Sequence, residues 1–452
     1  MHALARLAVA VLMLGAAPLR PPPTPTPAPN LTGPDLKLIA RKERVSRFLL
    51  LALRRANVDS WLVVTREGTV DPVAFDVAAD KAVGRAACFF IDRGERLESV
   101  AVVASYDTDA FEKSGLYNRV VPYGKEGPGP ALKAEIDKYN PRAIAVNQSV
   151  FEPLADGLTA GSLQWLRETL GADYSKRLVS AEALLVSFRS RKGPAEIARM
   201  RDAVQKTEKI LAEALSPAVI VPGKTTEKDV ADFIRKRRRE MNLGPSWEDD
   251  QDPNVMSGAA RGHSEASDAI ILPGSVVRID GGADEYGYKT DIQRLAYVLR
   301  PGETAPPEEV AKAFATVKAA NRAAAAALKP GATGTQVDTA ARSAITGAGY
   351  EEFAHATGHP IGFYTHDLGP MLAPAWPDRY GKLGSYTIEK DQTFAIEPAL
   401  ETELPWMMGG KVGFGLEEDY VVTEKGSEPL GTPQDALILI PGSAAPGSPP
   451  GS

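Results

Sequence analysis

Four carboxylates lie inside apolar, strand-like sequence in the second half of this chain: Asp280, Asp291, Glu397 and Glu417. An acid in such a segment is costly to bury unless a cation or a hydrogen-bond donor compensates it. Any fold that makes these segments core strands must therefore also bring them a positive partner. The histidines point the same way. Apart from His2, all of them (His263, His355, His359 and His366) fall within about a hundred residues, interleaved with or closely followed by those acids. One acid alone would carry little weight, since Asp280 before Gly281 and Gly282 also reads as a turn former. Three histidines in twelve residues, from His355 to His366, are separated by glycines rather than carried on one helix face, which suits a loop crossing a cleft. Two Asp, two Glu and one His make a hard, oxygen-rich donor set. It suits two divalent ions, Mn²⁺ first and Co²⁺, Fe²⁺ or Zn²⁺ as alternatives, sharing bridging carboxylates, and not a thiolate zinc site. Such a pair, about 3.5 to 4 Å apart, generates hydroxide at neutral pH and clamps a tetrahedral intermediate.

Composition sets the frame. At 452 residues the chain is long enough for two or three domains. Its net charge is −6, and no basic block is interleaved with aromatics, so nucleic acid is not an expected partner. The basic run Arg235 to Arg239 reads as the solvated end of an amphipathic helix. Cys88, the single cysteine, excludes an intramolecular disulfide and reads as an inert thiol in the buried strand Ala86 to Ile91.

The N-terminus places Arg6 before an apolar run, Leu7 to Ala17, short for a bilayer span but typical of an export-signal core. Residues 1–17 read as a signal peptide, with an uncleaved anchor as the rival because Pro18 suits a cut poorly. The expected location is periplasmic or secreted, without stable membrane embedding. Residues 18–35 form a proline-rich linker, extended as polyproline. From 36 to 190, short apolar runs (Trp61 to Val64, Ala86 to Ile91, Val100 to Ala104, Ala143 to Val146) alternate with helical patterns at Ala131 to Tyr139 and Ser162 to Leu170, which predicts a mixed α/β domain. It holds no histidine and no compact acid cluster. A second domain over 191–441 opens on a helix with Pro194 in its first turn. Helices are expected at Thr226 to Met241, Pro307 to Leu328 and Gly334 to Gly347. Strand pairs are expected as Ser275 to Gly282 with Ile292 to Leu299, and Gln392 to Leu400 with Leu416 to Val422. Residues 442–452 read as a disordered tail. The sequons at Asn30 and Asn147 read as chance matches.

The five metal-type residues, in this order and spacing, resemble the dinuclear metallopeptidases of the pita-bread fold: methionine aminopeptidase, aminopeptidase P and prolidase, with creatinase as a metal-free relative. The similarity covers about residues 190 to 430, and the upstream segment resembles the N-terminal domain of aminopeptidase P, prolidase and creatinase. The resemblance implies an α/β N-terminal domain followed by an α+β pita-bread (creatinase/methionine aminopeptidase-like) catalytic domain. It implies that Asp291 and Glu417 bridge two metals, that Asp280 completes one site, and that His359 with Glu397 completes the other. Glu397 would also handle the proton of the attacking hydroxide, His263 would be the substrate histidine, His366 would stabilise the developing oxyanion, and His355 would line the pocket behind the scissile bond.

The run His366-Asp367-Leu368-Gly369 resembles the aminopeptidase P and prolidase branch, whereas methionine aminopeptidases usually carry His-Glu there. Two positions depart from the pattern: Gln293 and Leu295 stand where the family has threonines, and Gly415 where an arginine often precedes the last metal glutamate. These departures bear on substrate range rather than on metal binding. The implied activity is a metallo-aminopeptidase that hydrolyses the N-terminal Xaa-Pro bond of a peptide with proline second. The alternatives are a prolidase restricted to Xaa-Pro dipeptides, a creatinase-like C–N hydrolase, and a catalytically idle binding module. Relatives of this kind are commonly homo-dimers or tetramers.

Overall fold

The structure, a computed structural model, describes residues 33–262, 264–407 and 409–442. The expected signal peptide, most of the proline-rich linker, Asn30, His263 and the tail from 443 lie outside the described residues.

The first domain is built on one six-stranded mixed sheet, β1 (Ser60–Thr65), β2 (Ala86–Asp92), β3 (Leu97–Ala104), β4 (Arg119–Tyr123), β5 (Ile144–Val146) and β6 (Leu178–Ser180), in the order β4-β3-β2-β1-β5-β6. Its central strands are apolar without a break because both faces are covered. Trp61, Val63, Cys88 and Phe90 face the helices Leu50–Arg55 and Glu182–Arg189, while Leu62, Val64 and Phe89 face Gly129–Tyr139 and Ala160–Ser175. Cys88 is buried, as its strand context predicts. Asn147 is buried too: it accepts from Trp61 Nε1 and donates to Asp71, so its sequon is structural.

The second domain is a pair of four-stranded sheets. The first holds β7 (Asn254–Met256), β8 (Val276–Gly281) and β11 (Ile292–Val298), with the hairpin β9 (Asp284–Glu285) and β10 (Tyr288–Lys289) between the last two. The second holds β12 (Gly358–Pro360) and β13 (Thr393–Ile396), followed by the hairpin β14 (Ala399–Thr402) and β15 (Val412–Gly415), then β16 (Glu418–Val422) and β17 (Ser427–Pro429). β18 (Ile438–Ile440) returns to pair with β11. The sheets meet at a bridge between Gln293 and Glu417. Helices Pro194–Ala214 and Glu227–Glu240 cover the outer face of the first sheet through Val277, Ile279, Ile292 and Ala296. Helices Glu308–Ala327 and Gly334–Gly347 cover the second through Phe394, Ile396 and Phe414. Capping boxes at Thr226 with Asp229 and at Thr333 with Gln336 fix two of these helix starts.

Two expectations need correction. Gln392 to Leu400 is not one strand: it breaks at Glu397-Pro398, and only β13 pairs with β16, while β14 turns away to pair with β15. Proline has no N–H for a ladder, so the break falls where a side chain must leave the sheet. The run Arg235 to Arg239 is not simply solvated. Arg238 is buried, pairs with Asp252 at 2.5 Å and donates to the Gly282 carbonyl at 3.1 Å; Arg235 donates to the Asp249 and Asp250 carbonyls. The helix end thus ties down the loop that leads into β7 and the first residue after β8.

A buried chain of ions joins the two domains. Arg44 pairs with Glu196 at 2.5 Å and with Asp76; Asp76 also takes Arg189, and Arg189 donates to Asp367 at 2.8 Å. Lys192 approaches Asp367 at 3.5 Å.

Candidate metal centre

Strand alternation explains how the acids converge. β8 and β11 are antiparallel with Asp280 opposite Gln293 and Arg278 opposite Leu295. Residues two apart share a face, so Arg278, Asp280, Gln293 and Asp291 all look away from the helices and toward the second sheet. There β12 delivers His359, opposite Ala395 of β13, while Glu397 directly follows β13 and Glu417 directly precedes β16. One ligand atom from each of Asp280, Asp291 and Glu417 lies within 4.8 Å of the others, and so do those of His359, Glu397 and Glu417. His366 approaches from the cleft side, its ring centroid 4.4 Å from that of His359, and it forms a third such group with Asp291 and His359.

Helical residues far away in sequence hold this frame. Asn321, fully buried, donates to the Ile396 carbonyl at 2.8 Å and the Leu416 carbonyl at 3.4 Å, clamping the residue before each glutamate. Asp338 accepts from the Thr357 N–H and hydroxyl, and the Thr357 carbonyl accepts from Glu397 N at 2.7 Å. Asp419, two residues after Glu417, accepts from Asp291 N at 3.2 Å. Sequence reading missed these three; for Asp419 and Arg278 the signal was there, since each lies two positions from a ligand on the same strand path.

The donors fit divalent metal. Asp291 Oδ1 and Glu417 Oε1 are buried with no hydrogen-bond partner among the described residues, a costly arrangement unless a cation takes them. His359 Nε2 stands 3.6 Å from Asp291, 3.7 Å from Glu397 and 3.8 Å from Glu417, too far for hydrogen bonds but the spacing of ligands around a shared ion. Burial lowers the His359 pKa to about 4, so the ring is neutral. Its Nδ1 faces the Pro360 carbonyl at 3.1 Å, which sets Nδ1 as the donor and leaves the Nε2 lone pair for a metal. Burial, then the charges of their neighbours, pushes the Asp291 and Glu397 pKa values well up, and burial raises Glu417 to about 7. Without a cation the cluster repels itself.

The remaining side chains have distinct places. Glu397 is the most open of the glutamates, with 22% of its side chain exposed against 1% for Glu417. His355 is half-buried beside Phe353, with its Nδ1 2.7 Å from the Ala356 carbonyl, and burial lowers its pKa to about 4. His366 is exposed to the cleft, and the next residue, Asp367, is locked by Arg189, by Lys192 and by the N–H of Phe363 and Leu368. Of the departures, Gln293 Nε2 donates to Glu417 Oε2 at 2.9 Å, and its Oε1 occupies the space that a Cβ on Gly415 would need.

A family model described as metallopeptidase family M24 matches residues 198–424, which contain every one of these ligands. The chain belongs to metallopeptidase family M24. Members of this family depend on two metal ions, and the pita-bread fold is the fold of this catalytic domain. A relative from Mycobacterium tuberculosis named probable dipeptidase PepE is 31% identical over 267 residues, covering 58% of this chain and 64% of the relative, so the match spans just under two thirds of that protein. An Xaa-Pro dipeptidase of Lactobacillus delbrueckii subsp. lactis is 28% identical over 292 residues, 63% of this chain and 71% of the relative. Among solved structures, an X-Pro aminopeptidase from Thermotoga maritima superposes with a TM-score of 0.62 at 22% identity, over 86% of this chain and all of that one, and so shares the fold of both domains.

Proposed function

We propose that this M24 member is a metal-dependent exopeptidase that hydrolyses the bond before proline, with Xaa-Pro dipeptides as its preferred substrates. The observation that carries the reading is the set of four converging carboxylates, two of them (Asp291 and Glu417) with a buried oxygen that has no hydrogen-bond partner among the described residues, beside one neutral histidine. Two divalent ions, when bound, would supply Lewis acidity and activate water at neutral pH; manganese is the proposed metal, given the oxygen-rich donors. Asp280, Asp291 and Glu417 hold one side of the centre, and His359 with Glu397 the other. Glu397, at the open edge, is placed to move a proton between water and the leaving amine. His366 faces the same opening and can donate to an oxygen that gains charge during attack. A prolyl nitrogen has no N–H, so a site that works on it cannot use that donor for recognition and must read the ring and the groups around it.

The names of the two relatives favour dipeptides. An aminopeptidase acting on longer peptides is the second reading, favoured by the fold match to an X-Pro aminopeptidase. The test is hydrolysis of Xaa-Pro against Xaa-Pro-Yaa by the full chain, with and without Mn²⁺, and with Glu397→Ala as control. Metal-dependent cleavage of the dipeptide, lost in the variant, supports the proposal; cleavage of the tripeptide as well would transfer it to the aminopeptidase reading, and silence on both would remove it.

Export is proposed as well, supported by Arg6 and the apolar run from Leu7 to Ala17. Among the described residues no helix is long and apolar enough to cross a membrane. Fractionation of cells expressing the full chain, with N-terminal sequencing of the product, tests it: intact protein in the cytoplasm would sink the idea.

A further inference from the structure

We propose that Glu227 is a positioning residue: its carboxylate ties both ends of the loop 257–267 and so sets the wall of the cleft against which the peptide lies. This rests on the peptidase reading above and adds to it a residue outside the metal ligands.

Glu227 opens the helix Glu227–Glu240, directly after its N-cap Thr226. An acid in the first turn of a helix is ordinary, because the free N–H groups there favour negative charge. Glu227 differs in being fully buried, and among the described residues its five hydrogen bonds all come from the loop 257–267. Oε1 accepts from the N–H of Ser257 at 2.7 Å and from its hydroxyl at 2.9 Å. Oε2 accepts from the N–H of Ser267 at 3.2 Å, from its hydroxyl at 2.6 Å, and from the Arg261 guanidinium. Burial pushes such a carboxyl up, yet the bonds from Ser267, Arg261 and Ser257 hold it below its ordinary value, so the group is ionised. Only an ionised carboxylate has acceptor sites for so many donors. The backbone adds to the grip: Glu227 N donates to the Ala269 carbonyl and Lys228 N to that of Ser267, each at 3.0 Å. One side chain thus holds the loop at its first residue, its middle and its last.

What the loop does follows from where it goes. Ala260 N donates to the Lys411 carbonyl at 2.9 Å, immediately before β15. A Cβ on Gly413 would lie 3.5 Å from the Cβ of Ala260 and 3.5 Å from Arg278 Nη1, so the loop, the β14–β15 hairpin and Arg278 meet at one spot. Arg278 lies two residues before Asp280 on β8 and shares its face. Further along the loop, the Gly262 carbonyl accepts from Asn254 Nδ2 at 3.2 Å, and Asn254 stands directly opposite Asp280 in the β7–β8 pair. Residues directly opposite share a face. Asn254 therefore holds the loop on the side of the sheet that carries the metal ligands, and the loop forms a wall of the cleft beside Asp280. Gly258, Ala259, Ala260 and Gly262 have almost no side chain with which to keep a shape. The wall depends on its hydrogen bonds, and most of those run to Glu227.

The test is Glu227→Gln in the full Mn²⁺-loaded chain. The amide keeps one acceptor oxygen and turns an NH₂ group toward donors, so part of the knot opens while size is kept. We expect KM for Xaa-Pro to rise about 10-fold or more and kcat to change less than about 3-fold, since a displaced wall loses binding before it loses chemistry. Mn²⁺ affinity, read by titration, should stay as in the wild type. Trypsin should cut between the exposed Arg261 and Gly262 about 10-fold faster in the variant, with cuts elsewhere in the chain unchanged. Ser267→Ala removes a donor from the loop side and leaves the carboxylate in place. It should move KM and the cut at Arg261 in the same direction, and it decides the matter where Glu227→Gln fails to fold. An unchanged KM in both variants overturns the proposal even if melting temperature falls, because Glu227 would then serve the fold alone. A loss of Mn²⁺ affinity that accounts for the lost activity overturns it too, since Glu227 would then support the ligands. If the wild type cleaves no Xaa-Pro peptide, the peptidase reading fails and proteolysis decides the rest: faster cutting at Arg261 keeps the clamp, and equal rates strike it.

Discussion

Two sets of buried ions lie within a few residues of each other in this protein and are built on opposite rules. The chain between the domains holds Arg44, Arg189 and Lys192 against Asp76, Glu196 and Asp367, three charges of each sign, and each of its carboxylates is engaged through both oxygens. The centre holds Asp280, Asp291, Glu397 and Glu417, with Arg278 beside them and orphaned oxygens on Asp291 and Glu417. Burial acts on both alike, yet the outcomes diverge. Burial alone would raise Asp367, but Arg189 and Lys192 hold it down to about 2, whereas Glu417 goes up to about 7. The difference is where the counter-charge comes from. The first set is completed by its own sequence and serves the fold; the second is left incomplete by its sequence and is completed from solution.

The comparison breaks most sharply under chelation. Stripping metal from the protein should abolish Xaa-Pro hydrolysis while leaving the far-ultraviolet circular dichroism in place, and Mn²⁺ should restore activity. Retained activity after exhaustive dialysis against chelator would remove the metal from the chemistry. Next in size is Arg189→Met, which takes one of two cations from each of the buried acids Asp76 and Asp367, leaving them Arg44 and Lys192, and should cost about 3–5 kcal/mol. Added Mn²⁺ should recover little of that loss, because the broken pair is not at the centre; full rescue by metal would mean that the two sets are one. Asp291→Asn should do the reverse in metal-free protein. By removing one of several mutually repelling acids it should stabilise the fold by about 1–2 kcal/mol, and at the same time prevent the gain in melting temperature that Mn²⁺ gives the wild type.

Acidity separates the two sets by sign. Glu417 titrates near 4.5 when unfolded and near 7 when folded without metal. Between those values the unfolded chain has released a proton that the folded chain still holds, so the metal-free fold loses stability as pH rises from about 4.5 to 7. Asp367 works the other way: its folded value lies below its unfolded one near 3.8, so its contribution is present above pH 4 and is lost as pH falls toward 2. Melting temperatures of chelated and Mn²⁺-loaded protein at pH 5 and pH 7.5 should therefore move apart as pH rises. Parallel curves would show that the centre's acids are not held at raised values.

What the sequence disclosed follows from the same contrast. Acids alone in apolar strand sequence are conspicuous, so Asp280, Asp291, Glu397 and Glu417 stood out, and the alternation of β8 and β11 was enough to put Asp280 and Asp291 on one face. Helix starts with Thr226 or Thr333 and a partner three residues on were legible because the cap is local. The ionic chain was not, since Arg44, Asp76, Arg189 and Asp367 are ordinary surface-type residues until tertiary packing buries them together. Arg238 was read as solvated for that reason. The break at Pro398 escaped a reading based on apolar runs, although proline's missing donor announces it.

The smallest effect concerns the departures at the centre's edge, and it tests whether they are one change or two. Gln293 ties Glu417 through a hydrogen bond of 2.9 Å, while its Oε1, without a partner among the described residues, fills the place of any side chain at 415. Gly415→Ala must push Gln293 aside and so loosen Glu417, and a ligand that loses such support typically weakens metal binding about 10-fold or more. If the two positions form a unit, Gly415→Ala should cost almost nothing once Gln293→Ser has vacated the space: the double variant should match Gln293→Ser alone to within about 0.5 kcal/mol in Mn²⁺ affinity. Additive losses, measured by titrating Mn²⁺ into all four proteins of the cycle, would mean that Gly415 is required by something other than Gln293, and Arg278, whose Cδ borders the same space, would be the next side chain to cross with it.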